Sequence, residues 1–314
     1  MWIPITISAA TFQILRTSRQ HELRSVLSAG AAGFVRYLYG APFALAMGAV
    51  WFGLLPHDLP PLTAEFWSYA ALAGVAQILA TIALLRSFRE RDFAIGTVYS
   101  KSEMIAVAAI GAVGLGDALA VGGWVGAAIV MLGVAMLASN GSPVSLVRRA
   151  GDRAAALGLA AGLCFALAAV LIRAASRTMG DAPAFDRALV TLMAMLTIQT
   201  AINTLGFAVV DPKALPNALR AWRPAVLVGL FSLLGSIGWA WALTLENAAK
   251  VRTLGQVELV IAFAIAYVKL GERHARSDYA ASGPDMYVPG HDPEVLERYD
   301  PVNHELEGIA ARLA

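Results

Sequence analysis

AIGTVYSKSEMIAVAAIGAVGLG, residues 94–116, decides how the chain is read. The stretch is apolar and long enough for a bilayer, which takes about 20 such residues. Yet Lys101 and Glu103 sit near its middle. A charge at that depth costs roughly 2.5–3.5 kcal/mol, so it usually faces a partner or a water-filled path. The two charges are i,i+2 and do not face each other on a helix, so each needs its own partner. Residues 252–271, RTLGQVELVIAFAIAYVKLG, repeat the pattern with Gln256 and Glu258. Two copies of one membrane unit are therefore expected, each closing on such a segment.

Composition agrees. The 314 residues are 58% hydrophobic and 15% charged, against about 45–50% and about 25% in soluble domains. The net charge of +2 hides an acidic tail: residues 282–314 carry −5, leaving +7 elsewhere. The single cysteine, Cys164, excludes an internal disulfide. Residues 1–15 lack the basic start of a cleavable signal. Basic residues fall in short loops, which speaks against nucleic acid as a partner.

Hydropathy predicts an all-α polytopic membrane bundle of about nine spans: 2–15, 31–54, 66–85, 93–115, 119–138, 154–172, 187–210, 225–245 and 251–270. The first is short, and a polar-ended continuation through Arg16, Arg19 and Arg24 is open to it. Gly40-Ala-Pro42 predicts a kink in the second. Fifteen basic residues fall in one alternating set of loops and five in the other. The positive-inside rule then places the N-terminus outside and the basic 139–153 segment inside.

With an offset of 155, Glu103 falls on Glu258, Lys101 on Gln256, and Leu115-Gly116-Asp117 on Leu270-Gly271-Glu272. Five spans in the first unit would invert the second, giving two five-helix inverted repeats. The overlay lacks one piece. After Tyr279-Ala-Ala a tenth helix should follow, but Ser282-Gly283-Pro284-Asp285 opens a polar stretch. The expected organisation is a first repeat at 1–138, a basic linker at 139–153, a second repeat at 154–281 with its tenth helix missing, and an acidic, disordered tail at 282–314. Truncation, frameshift or divergence would each produce that break.

Several motifs together resemble the drug/metabolite transporter superfamily in its EamA-like branch. They are Trp2-Ile-Pro with Gln13-Ile-Leu-Arg16; Val35-Arg36-Tyr-Leu-Tyr-Gly-Ala-Pro42; Gln77-Ile-Leu-Ala-Thr; the run from Phe93 through Tyr99 and Lys101 to Glu103; and Leu270-Gly271-Glu272-Arg273. The resemblance covers residues 1 to about 281. It implies ten helices in two inverted repeats, alternating access, and small metabolites carried, often outward. The missing tenth helix departs from that pattern.

Each candidate on the substrate or ion pathway has a plainer alternative. Glu103 reads as a cavity carboxylate or as half of a salt bridge with an interior cation such as Arg36. Glu258 reads in the same way. Arg36 suits an anionic group through its planar fork, or snorkels to the interface. Gln13 and Arg16 share a helix face. Gln77 either lines the cavity or bonds a neighbouring helix. Tyr99 and Trp239 would contact an apolar or aromatic substrate, or sit in interface belts. Trp239 and Trp241 are i,i+2, so at most one faces a cavity. Lys101 and Gln256 complete the set, and the glycines read as close-packing positions.

The expected function is a multi-pass secondary transporter of the cytoplasmic (inner) membrane, exporting small metabolites. Its expected partners are a small-molecule substrate, the lipid bilayer and, as one option, a second copy of the chain. No cofactor or metal is expected. A truncated, inactive or regulatory remnant stays open as the alternative. An intramembrane enzyme ranks last: the five histidines lie in loops or tail, and Cys164 has no histidine beside it.

Overall fold

The structure, a computed structural model, describes residues 1–23, 27, 29–89, 99–138, 151–258 and 260–261. Residues 93–98, most of the linker, the segment 262–281 and the 282–314 tail, all given a place in the sequence reading, lie outside the described residues.

Among the described residues every regular element is a helix: α1 Trp2–Leu23, α2 Ala29–Gly53, α3 Ala64–Arg89, α4 Glu103–Leu115, α5 Val121–Ala138, α6 Arg153–Arg177, α7 Ala184–Val210, α8 Ala214–Arg220, α9 Trp222–Leu245 and α10 Ala248–Gly255. Among the described residues four stretches are long and apolar enough to cross a membrane: Ala64–Leu84, Arg153–Arg177, Ala184–Val210 and Trp222–Leu245. The fold is a polytopic helical membrane bundle.

Its surface and interior divide as a lipid-facing bundle should. Leu72, Val113, Ile129, Leu205 and Val209 are exposed, while Ala44, Ala70, Ala73, Ala161, Ala166, Ala169 and Ala188 are fully buried. Many large apolar side chains thus point outward, and the buried alanines let helix backbones approach. Hydroxyls that would otherwise be unpaired bond back to their own helix, as Thr6 does to the Trp2 carbonyl at 2.9 Å and Thr191 to that of Arg187 at 2.8 Å.

Helices from the two halves pack in matched pairs. The most extensive contacts are α3 with α6 and α1 with α9. Next to these run α2 with α9 and α3 with α7, then α4 with α6 and α1 with α10. Exchanging first-half for second-half helices turns one member of each pair into the other.

The structure also decides one open bound and corrects two expectations. The polar-ended continuation left open for the first helix is the one found: α1 runs unbroken to Leu23, which places Arg16 in the bundle and not in a loop. The fourth and ninth spans are not continuous, for reasons given below. Between α7 and α9 the short α8 occupies what read as loop. Pro42 lies inside α2, which stays helical from Ala29 to Gly53.

Candidate functional site

Both diagnostic segments tighten at the same place. Residues 99–100 are helical, Lys101 and Ser102 form a turn, and α4 starts at Glu103. The Ser102 amide bonds the Tyr99 carbonyl at 3.2 Å and the Met104 amide that of Lys101 at 3.3 Å. These are i→i−3 bonds, the tighter 3₁₀ pattern often found at functional breaks. In the second half α10 ends at Gly255 and Gln256 forms the turn, its amide bonding the Thr253 carbonyl at 3.2 Å. Lys101 and Gln256 are the residues superposed by the offset of 155.

Glycines make room for both breaks. A Cβ on Gly162 of α6 would stand 2.7 Å from the Ser100 carbonyl oxygen and 2.8 Å from the Ser102 hydroxyl. One on Gly255 would run into the Trp239 ring. Continuous hydropathy therefore hid two discontinuous helices.

The breaks bring their charges together across the halves. Lys101 Nζ donates to Glu258 Oε1 at 2.8 Å. Gln13 Nε2 of α1 donates to Glu258 Oε2 at 2.6 Å, and Trp239 Nε1 of α9 donates to Gln13 Oε1 at 2.9 Å. The chemistry fixes the amide's orientation: indole N–H can only donate, so the Gln13 oxygen must face it and the amino group must face the carboxylate. Both Glu258 oxygens are thereby held. Arg252 lies 5.0 Å over the Trp239 ring, a cation–π distance.

Glu258, not Glu103, is the hub of this network. Glu103 is only 6% exposed and occupies the first turn of α4, where the helix dipole favours a carboxylate. It lies in the field of Lys101. Arg36 does not pair with it; its guanidinium lies 4.7 Å over the Tyr37 ring. Gln256 turns its amino group to the Arg252 carbonyl at 3.3 Å.

The remaining candidates fall elsewhere. Gln77 meets Gln199 of α7, whose Nε2 donates to Gln77 Oε1 at 2.7 Å. Gln199 is fully buried and went unread; its signal was an amide in a long apolar run. Tyr99 lies in the field of Asp152, the residue capping α6 at the linker end. Trp241 packs edge-on against Phe185 with centroids 5.0 Å apart, so only Trp239 of the two reaches the cluster. Among the described residues no three His, Cys, Asp or Glu side chains converge as a metal site.

A second polar knot closes the end opposite the linker. Asp117, in the α4–α5 turn, accepts hydrogen bonds from Arg173 and Arg177 of α6. Arg173 NH1 also donates to the carbonyls of Leu243 at 2.7 Å and Glu246 at 2.6 Å, at the open C-terminus of α9. Asn247 Nδ2 donates to the Asp117 carbonyl at 2.9 Å. Burial alone would raise the Asp117 pKa; the two arginines outweigh it and hold the carboxyl below its usual range.

Two clefts flank the charged cluster. One of about 560 Å³ lies between α5 and α10, reaching Gln256 and Val257. Another of about 290 Å³ lies between α1 and α9, reaching Phe12, Phe185 and Trp241. Such an arrangement of polar groups can hold and exchange a ligand inside an apolar bundle.

No curated protein matches the chain. Residues 152–283 match the model of the EamA-like transporter family, whose members are transporters. The match covers the half that contributes Trp239, Arg252, Gln256 and Glu258. Residues 152–283, somewhat less than half of the chain, are thus similar to the EamA-like transporter family.

Proposed function

We propose that the chain is a secondary transporter that moves small metabolites outward across the cytoplasmic membrane by alternating access. One observation carries the reading: Lys101 and Glu258, at equivalent breaks in the two halves, meet in an ion pair at 2.8 Å. Broken helices whose ends face a central site are how inverted-repeat transporters place polar groups at membrane depth. The matched packing of α3 on α6 and α1 on α9 supports two inverted repeats, 1–138 and 154–281, joined by the basic 139–153 linker.

In this scheme the turn before α4 carries Lys101 and α4 opens on Glu103, while α10 leads into Glu258. Rocking one repeat against the other lengthens the Lys101–Glu258 contact. Gln13 and Trp239 hold the carboxylate's other oxygen, so Glu258 moves with α1 and α9. Substrate competes for the groups thus released. Glu103, at the N-terminus of α4, is the second carboxylate of the pathway.

The test is flux from proteoliposomes loaded with a mixture of amino acids, nucleosides and sugars. The wild-type chain releases a subset; Glu258→Gln abolishes the release, and Glu103→Gln lowers it. Unchanged flux and unchanged pH dependence in both variants would remove the carboxylates from the mechanism.

A further inference from the structure

The cluster holds more positive charge than it neutralises. Lys101, Arg16, Arg36 and Arg252 stand against two carboxylates, Glu103 and Glu258. Lys101 takes one Glu258 oxygen and Gln13 the other. Arg16 and Arg252 lie in the field of that same carboxylate, without a hydrogen bond to it. Among the described residues the Nε atoms of Arg16, Arg36 and Arg252 are all buried without an acceptor. So is the Tyr37 hydroxyl, which sits beside Arg16. A buried donor normally finds a partner. Four orphaned donors in one neighbourhood, three of them on cations, describe a site waiting for oxygen acceptors.

The cations are also arranged in depth. At 1.5 Å per residue, Arg252 lies about 6 Å from the Ala248 end of α10. By the same rise, Arg16 lies about 21 Å from the Trp2 end of α1, and Arg36 about 26 Å from the Gly53 end of α2. All three ends belong to the side of the bundle opposite the linker. Arg36 therefore starts too deep to share one small anion with Arg252, while the long side chains of Arg16 and Arg252 can reach toward a common point near Glu258.

We infer that the interior binds a small organic anion, through a carboxylate or phosphate group, between Arg16 and Arg252, the two guanidinium groups in the field of Glu258. This deepens the transporter reading and rests on it. The guanidinium fork suits both oxyanions bidentately. Glu258 acts as the internal anion that occupies Lys101 when the site is empty. The substrate anion displaces it, which couples binding to release of the contact between the two halves.

Calorimetric titration of the purified full chain with inorganic phosphate, succinate and putrescine tests this. Phosphate or succinate binds saturably and putrescine does not; which of the two binds tighter assigns the oxyanion. Arg16→Gln and Arg252→Gln each weaken binding about tenfold, because each removes a charge-assisted donor. Arg252→Lys keeps the charge, loses the fork and falls between. Glu258→Gln tightens anion binding roughly threefold, since Lys101 loses its competitor. That opposite sign separates a binding role from general damage to the fold.

Putrescine binding in place of the anions overturns the inference. So does an absence of response to phosphate and succinate, or anion binding unmoved by the arginine and Glu258 variants. The flux assay separates the two readings. Anion binding that follows these variants without flux sustains the site and removes the transporter. Flux of neutral or cationic solutes without anion binding removes the site and leaves the transporter.

Discussion

Glu258 shows what an isolated charge in an apolar run can and cannot tell. Insertion cost predicts that it has a partner, and the i,i+2 spacing excludes Lys101–Glu103 as a pair. Neither says which partner. That depends on α1 and α10 meeting, a contact between residues 13 and 258 that no local pattern encodes. Arg252 escaped the site reading for the same reason, and Arg16 entered it only as sharing a helix face with Gln13. The Lys101–Glu258 pair is 14% and 17% exposed, so removing one member strands a buried charge. Lys101→Met is expected to lower stability by about 3–5 kcal/mol. Lys101→Met with Glu258→Gln, which removes both charges, should recover most of that. Urea unfolding of the two variants in detergent measures it; equal losses would mean that the pair is not coupled.

At the scale of elements, span centres were legible and breaks were not. Hydropathy located α3, α5, α6, α7 and α9 to within a few residues, because twenty apolar residues in a row have few other uses. The same signal ran straight through Lys101–Ser102 and Gln256, since an i→i−3 turn changes hydrogen bonding without changing apolarity. The α8 helix, Ala214–Arg220, was missed because seven residues carry too little periodicity. Glycines mark the breaks only once the neighbour is known. Gly162 touches the 100–103 turn, whereas Gly126 has nothing within 4 Å of its missing Cβ. Gly162→Ala should therefore cost about 1–3 kcal/mol by overpacking and reduce flux, because it pushes the turn that carries Lys101. Gly126→Ala should be neutral or slightly stabilising. Melting temperatures of the two variants decide it, and similar values would show that the turn is soft.

For the whole molecule, the offset of 155 and the odd span count predict an inverted repeat. The matched packing of α3 on α6 and α1 on α9 is what such a repeat would produce. The knot around Asp117 was not foreseen, because it joins residues far apart in sequence: the α4–α5 turn, the end of α6 and the α9–α10 corner. It ties the two halves at the end opposite the linker, so it bears on whether that end opens. Asp117 and Glu246 are both held below their ordinary values. In each, burial opposes the shift and the polar partners prevail: Arg173 and Arg177 for Asp117, the Asn247 amide and Lys250 for Glu246. A carboxyl with a lowered folded-state pKa stabilises the fold above its ordinary value and loses that contribution as pH falls through the folded-state value. The ordinary values are 4.5 for Glu246 and 3.8 for Asp117, so the loss should begin below those points and not near neutrality. Wild-type melting temperature should fall through that acidic window. Asp117→Asn should melt lower at neutral pH and lose part of the acid dependence, and Asp117→Asn with Glu246→Gln should lose more. If the double variant keeps the full wild-type acid dependence, the knot does not hold the two halves together.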